Sequence, residues 1–135
     1  MKKSSLFITR TLLGLTLLFF ILIFTSCTGG SYVIIKGGIV STSHSMNGSY
    51  SKFSGYYYRQ ITLYKNNNVY MNYHSITHRG TIALELIDDN GNVLYKTKKL
   101  AERNYPIHIS QSGKYRIEVI GNNHKGSFKL TWHVS

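Results

Sequence analysis

The feature that most constrains this chain is an alternation of apolar and polar residues at every second position, repeated along its length after residue 31. "TIALELID" sets Ile82, Leu84 and Leu86 against Thr81, Ala83 and Glu85, and "VYMNYHSI" sets Val69, Met71 and Tyr73 against Tyr70, Asn72 and His74. The pairs and triplets Ile107/Ile109, Tyr115/Ile117/Val119 and Phe128/Leu130/Trp132 keep the same spacing. Successive side chains of an extended strand point to opposite faces, so each segment reads as a strand with one side against a core. "SYVIIKGGIV" offers two short β-branched runs around Gly37 and Gly38. "GYYYRQITLY" stops at the turn cluster Lys65-Asn66-Asn67-Asn68, and Asn90-Gly91 is a hairpin signal because both residues tolerate positive φ. Short strands with turn signals every 8 to 12 residues or so, and no helical period beyond about two turns, predict an all-β fold. The expectation is a single antiparallel β-sandwich, jelly-roll-like, over residues 32–135.

The first 26 residues follow a different rule. Lys2, Lys3 and Arg10 open the chain without an acidic residue, "LLGLTLLFFILIF" runs apolar from Leu12 to Phe24, and the small residues Thr25 and Ser26 precede Cys27. Charged, apolar, then small is the layout of a secretory signal peptide. The apolar run is short beside the roughly 20 residues that a spanning helix needs; a retained anchor helix is the alternative. With this leader set aside, 109 residues remain, enough for one domain with one core. Of the 16 basic and 5 acidic residues, the leader holds three basic ones, which leaves a formal charge of +8. Cys27 is the only cysteine, so no disulfide can form within the chain, and the fold must rest on its apolar and aromatic residues. All eleven tyrosines and only two of the six phenylalanines lie beyond the leader, so tyrosine carries much of that load.

The stretch "FTSC", Phe24 to Cys27, resembles the lipobox of bacterial lipoproteins, in which an apolar residue and two small ones precede a lipidated cysteine; Phe24 stands where leucine is usual. The resemblance implies that residues 1–26 are removed as a lipoprotein signal peptide and that Cys27 carries a diacylglyceryl group. It also implies a chain held on the extracytoplasmic face of a bacterial membrane. Two acyl chains anchor stably where one binds only marginally, at about 0.8 kcal/mol per buried methylene. Residues 27–31, with Thr28, Gly29, Gly30 and Ser31 after the cysteine, then read as a lipidated flexible tether.

"TIALELIDDNGNVLYKT" and "SGKYRIEVIGNNHKGSFKLTW" resemble the closing hairpins of small secreted bacterial β-sandwiches, among them pre-peptidase C-terminal domains. The resemblance covers roughly Gly55 to Trp132 and implies a non-catalytic module for binding or folding support. Calcium sites found in such domains need more carboxylates than Asp88 and Asp89, the only aspartates here.

His74 and His78 are four apart, which along a strand returns to one face but about 13 Å away, too far to chelate one ion. His44, His108, His124 and His133 are dispersed without zinc-like spacing. The carboxylates Glu85, Asp88, Asp89, Glu102 and Glu118 show no catalytic pairing, with Asp88 and Asp89 expected as solvated turn residues. No nucleophile elbow, H-E-x-x-H or phosphate-cradling loop occurs. No enzyme, metal or cofactor is therefore expected. The recognition candidates are aromatic and basic. If Ile61 and Leu63 face the core, Tyr57 and Arg59 share their side, while Tyr56, Tyr58, Gln60 and Thr62 face outwards. By the same logic Tyr70, Asn72 and His74 face outwards on the next strand. A face of Tyr56, Tyr58, Tyr70 and His74 suits stacking on a polysaccharide or docking a protein. Lys96, Lys98, Lys99 and Arg103 form a basic cluster drawn to an anionic membrane or cell-envelope polymer. Nucleic acid is not expected as a partner outside the cell. The function expected is that of a membrane-anchored binding or accessory module. The alternatives are an interaction or inhibitor protein that protects the envelope against a toxin or enzyme through its loops, or a small hydrolase.

Overall fold

The computed structural model describes residues 27–98, 101–102 and 106–135. The expected signal segment 1–26, Lys99 and Arg103 lie outside them. Among the described residues seven strands, all antiparallel, follow one another: β1 (Thr28–Ser41), β2 (Ser45–Leu63), β3 (Asn68–Asp88), β4 (Val93–Thr97), β5 (Ala101–Glu102), β6 (Ile107–His108) and β7 (Gly113–Val134). They form one sheet in the order β1-β2-β7-β3-β4, with β5 and β6 also paired to β3.

Three of these strands run to 19, 21 and 22 residues, far beyond the usual five or six. They do so by passing through both layers of a sandwich. Leu63 in β2 pairs with Gly113 at the start of β7, and Val69 in β3 pairs with Val134 at its end. The chain from Leu63 to Val69 can reach at most about 21 Å. A straight β7 would separate its ends by about 70 Å. β7 therefore folds back on itself, and β1, β2 and β3 bend with it. The first layer contains 28–35, 53–63, 113–121, 81–88 and β4. The second contains 37–41, 45–50, 126–134, 68–77, β5 and β6.

The bend has a local cause. The β2–β7 register shifts between Tyr50 and Gly55, and the β3–β7 register shifts between Thr77 and Thr81. An extra residue in one strand bends it and increases its twist. Gly80, at φ 73, and Gly126, at φ 148, lie on this line, and a β-carbon on Gly126 would run into the Ile76 carbonyl oxygen. A side chain there would hold the two backbones apart.

Inward residues of both layers make one core. Phe53, Leu63, Leu84, Leu86 and Ile117 from the first pack with Met46, Met71, Tyr73, Leu130 and Trp132 from the second. All ten are buried, as the alternation in sequence requires. Tyr57 and Ile61 pack against this core, and Tyr56 and Thr62 are exposed on the other side of β2. The turn after β3 is held by Asp88, whose carboxylate accepts from the backbone N–H groups of Asn90 (2.9 Å) and Asn92 (2.8 Å) and from the Asn92 side chain (2.8 Å). These bonds, the Asn92 side chain foremost, hold the Asp88 carboxyl below its usual range. Asp88 is thus the acceptor that shapes the hairpin as well as a residue of its surface.

Two expectations are corrected. The short strands predicted on either side of Gly37-Gly38, between "VYMNYHSI" and "TIALELID", and between "KYRIEVI" and "SFKLTWHV" are continuous strands, bent where a break was expected. Thr28 to Ser31 form the start of β1, paired with Tyr56 to Arg59, where a flexible tether was expected. The Cys27 carbonyl already accepts the Gln60 N–H at 2.9 Å. Ladder pairing of Gly29 and Gly30 outweighs the flexibility that their composition suggests.

Candidate functional site

The outer face of the first layer carries the richest set of side chains. One row crosses five strands at a single level: Gly29, Tyr58, Glu118, Glu85 and Lys96, each the register partner of the next. Next to it runs Ser31, Tyr56, Ile120 and Ala83. Tyr56 and Tyr58 follow at period two, so their rings fall on the same side. The rings are nearly parallel, at 13°, with centroids 6.4 Å apart. Tyr58 lies over Gly29, where a β-carbon would strike the tyrosine ring and hydroxyl. From the other flank the Arg116 guanidinium sits 5.2 Å from the Tyr58 centroid, within cation–π reach. Tyr56 remains 38% exposed.

Beside the tyrosines two carboxylates are sunk into this face. Glu85 and Glu118 are direct cross-strand partners, only 5% and 7% exposed. Like charges placed opposite each other destabilise a sheet, so each needs compensation. Lys96 forms an ion pair with Glu85, and an Arg116 nitrogen lies 4.0 Å from a Glu118 carboxylate oxygen. Burial raises the Glu118 pKa most strongly; Arg116 opposes the rise and Glu85 adds to it. The face thus offers an aromatic platform next to a carboxylate with acceptor capacity to spare, the pairing of groups that suits a sugar ring with its apolar face and hydroxyl rim.

Tyr70 and His74 are placed elsewhere. They point outwards from the second layer, on the opposite side of the sandwich, so Tyr58 does not share a face with them. The Tyr70 ring stacks on His133 with centroids 4.5 Å apart, and His74 is the register partner of Lys129. Lys96, expected in an open basic cluster, is the counter-ion of Glu85 on the tyrosine face. Lys98 is exposed beyond the end of β4. Cys27 is a free, exposed thiol immediately before β1. No group of three or more metal-ligating side chains converges among the described residues.

Two features escaped the sequence reading. The first is His124, fully buried at the bend. Its Nδ1 lies 2.9 Å from the Tyr50 hydroxyl and its Nε2 2.9 Å from Thr77 Oγ1, so it ties β7 to β2 and to β3. A neutral imidazole donates through one nitrogen and accepts through the other, and a hydroxyl on each side satisfies both. Burial, with a smaller contribution from His78, lowers its pKa. The second is a cleft of about 370 Å³ lined by Ser51, Lys52, Arg79, Asn123 and Lys125. No spacing in the sequence links residues 52, 79 and 125; only the bend brings them together.

No protein-family model matches the chain, and no curated protein matches it. Several solved structures resemble it. One is TmCBM61 in complex with β-1,4-galactotriose, at 14% identity, covering 83% of this chain and 88% of that one with a TM-score of 0.45. Another is a CBM4 structure, at 9% identity, 77% and 85% coverage and a TM-score of 0.46. A third is the low affinity xylan binding module CBM86 from Roseburia intestinalis, at 14% identity, 82% and 92% coverage and a TM-score of 0.42. The likeness transfers no ligand and no residue role to this chain.

Proposed function

We propose that this protein is a non-catalytic binding module of the bacterial cell envelope, held at the membrane through a lipidated Cys27, and that the outer face of its first layer binds a polysaccharide. One observation carries the binding reading: Tyr56 and Tyr58 present near-parallel rings on one open face, next to the carboxylate of Glu118. The membrane anchor is supported by the signal-like leader and the lipobox resemblance at Phe24 to Cys27. With β1 starting at Thr28, a lipid on Cys27 would hold the domain close against the bilayer.

The test is binding of the purified protein to a panel of neutral and acidic envelope polysaccharides. Each stacked aromatic contributes about 0.5–1.5 kcal/mol beyond its buried area. Tyr56→Ala with Tyr58→Ala should therefore weaken binding by about 5- to 150-fold. Tyr70→Ala, on the opposite face, should leave it unchanged. Equal affinities for wild type and the Tyr56/Tyr58 variant would remove this face as the site.

A second reading is that of an interaction protein, and one observation favours it. Edge strand β1 exposes Val33, Ile35 and Val40, the last 67% open, along a backbone edge that no strand beyond β2 pairs among the described residues and that another strand can join. A protein partner captured by β1 and lost on Val33→Lys would support that reading.

A further inference from the structure

The cleft at the bend is lined by three cations and two neutral polar residues. Arg79 and Lys125 are direct cross-strand partners, and Lys52 lines the same cleft from β2, in the stretch where the β2–β7 register shifts. Three cations thus come from three adjacent strands. Like charges directly opposite each other cost stability, yet none of the three forms a salt bridge with a carboxylate among the described residues. Of the five carboxylates, Glu85 and Glu118 are on the tyrosine face, Asp88 and Asp89 at the hairpin turn, and Glu102 in β5.

The backbone around the cleft is left-handed at two positions. Gly80 has φ 73 and Asn123, a non-glycine residue, φ 48. A β-carbon on Gly80 would meet the Asn122 and Asn123 carbonyl oxygens, so β3 and β7 approach closely here. The Asn123 N–H donates to Ser54 Oγ at 3.1 Å, and Ser54 Oγ donates to Asn123 Oδ1 at 3.3 Å. Left-handed backbone outside glycine persists where its surroundings enforce it, often at binding sites. Buried directly beneath this line, His124 holds β2, β3 and β7 together.

We infer that this cleft is a binding site for a phosphate or sulfate ester group carried on a polymer. A guanidinium presents a planar fork that matches a tetrahedral oxyanion through two parallel hydrogen bonds, and two ammonium groups add charge without demanding a fixed angle. Ser51 and Asn123 supply neutral hydrogen-bonding groups at the rim. The volume lies within the range of about 300–1,000 Å³ of clefts that hold a ligand, so part of the carrier enters with the anion.

The position favours a polymer. The register of β1 with β2 is unbroken from Lys52 to Arg59, so Lys52, Ser54, Tyr56 and Tyr58 fall on one side of β2. Lys52 is about 13 Å from Tyr56 along the strand. A chain stacked on the tyrosines and running along β2 would bring an ester group into the cleft. This path rests on the polysaccharide reading; the oxyanion site itself does not.

The experiment uses the full chain in detergent micelles, with amide chemical shifts and titration calorimetry as readouts. The probes are inorganic phosphate, inorganic sulfate, poly(glycerol phosphate), dextran sulfate, unmodified dextran and phosphatidylglycerol vesicles. Phosphate or sulfate should shift the amides around Arg79, Asn123 and Lys125. At least one of the two charged polymers should bind, and the better of them identifies the ester. Lys52→Gln with Arg79→Gln and Lys125→Gln should weaken that binding at least tenfold at low salt and flatten its salt dependence. Arg79→Lys, which keeps the charge and loses the fork, should fall between the two. Melting curves of the variants confirm that they are folded. Tyr56→Ala with Tyr58→Ala should leave the inorganic-ion shifts intact, so a failure of the tyrosine face and a failure of the cleft give different results. Equal binding of charged polymers by wild type and the triple variant would overturn the proposal. So would cleft-dependent binding to phosphatidylglycerol vesicles alone, which would make the ligand a lipid headgroup.

Discussion

His124 offers a test of how the long strands are held in their bent shape. It is the one buried histidine, and its two ring nitrogens reach Tyr50 in β2 and Thr77 in β3. Burial keeps its folded-state pKa below the ordinary value of 6.5. Above about pH 6.5 the ring is neutral in both folded and unfolded chains and contributes no pH dependence. Below that value the unfolded chain takes up a proton that the folded one refuses, so stability falls as the pH falls. The slope cannot exceed about 1.4 kcal/mol per pH unit, so acidification from pH 7.5 to 5.5 removes at most about 1.4 kcal/mol through this group. His124→Gln cannot titrate. It should lose about 1–3 kcal/mol at pH 7.5, because the buried Tyr50 hydroxyl loses its partner, whereas Thr77 is exposed and its hydroxyl can turn to water. Urea denaturation of both proteins between pH 5.5 and 7.5 reads both effects. The variant should be less stable at pH 7.5 and should show the flatter pH profile. Parallel profiles for the two proteins would refute the neutral buried imidazole.

Three further outcomes are expected. Leu130→Ala, in the centre of the core with no exposed surface, should cost about 2–5 kcal/mol of unfolding free energy by urea titration. Gly126→Ala forces a β-carbon against the Ile76 carbonyl at a φ that L-residues avoid; it should lower the melting temperature by more than Gly91→Ala, where φ is 86 and the space is open. Cys27→Ser should abolish labelling by an alkyne fatty acid and leave the protein in the soluble fraction or unprocessed; equal labelling of wild type and variant would end the lipid-anchor proposal.

The sequence by itself determined the side of the strand on which most residues lie. Alternation is a local property: once Ile61 and Leu63 are inward, Tyr56 and Tyr58 must be outward, and the burial of Val69, Met71, Tyr73, Leu84, Leu130 and Trp132 follows the same rule. The turns at Lys65-Asn66 and around Asn90-Gly91 were legible as turns, but positive φ falls only on Asn66 and Gly91. Asn90, expected to share it, keeps an ordinary φ because the turn closes from the Gly91 N–H to the Asp88 carbonyl. Tertiary structure alone decided which outward faces coincide. Alternation does not say whether a glycine ends a strand or bends it, and here the bulges between Tyr50 and Gly55 and between Thr77 and Thr81 bend it. That folding back sends Tyr58 and Tyr70 to opposite sides of the molecule, although both are outward residues of one continuous sheet. It also sets Glu85 against Glu118 and gathers Lys52, Arg79 and Lys125 around one cleft. Those residues are tens of positions apart in the chain, and their meeting is set by long-range register, which no short window of sequence contains.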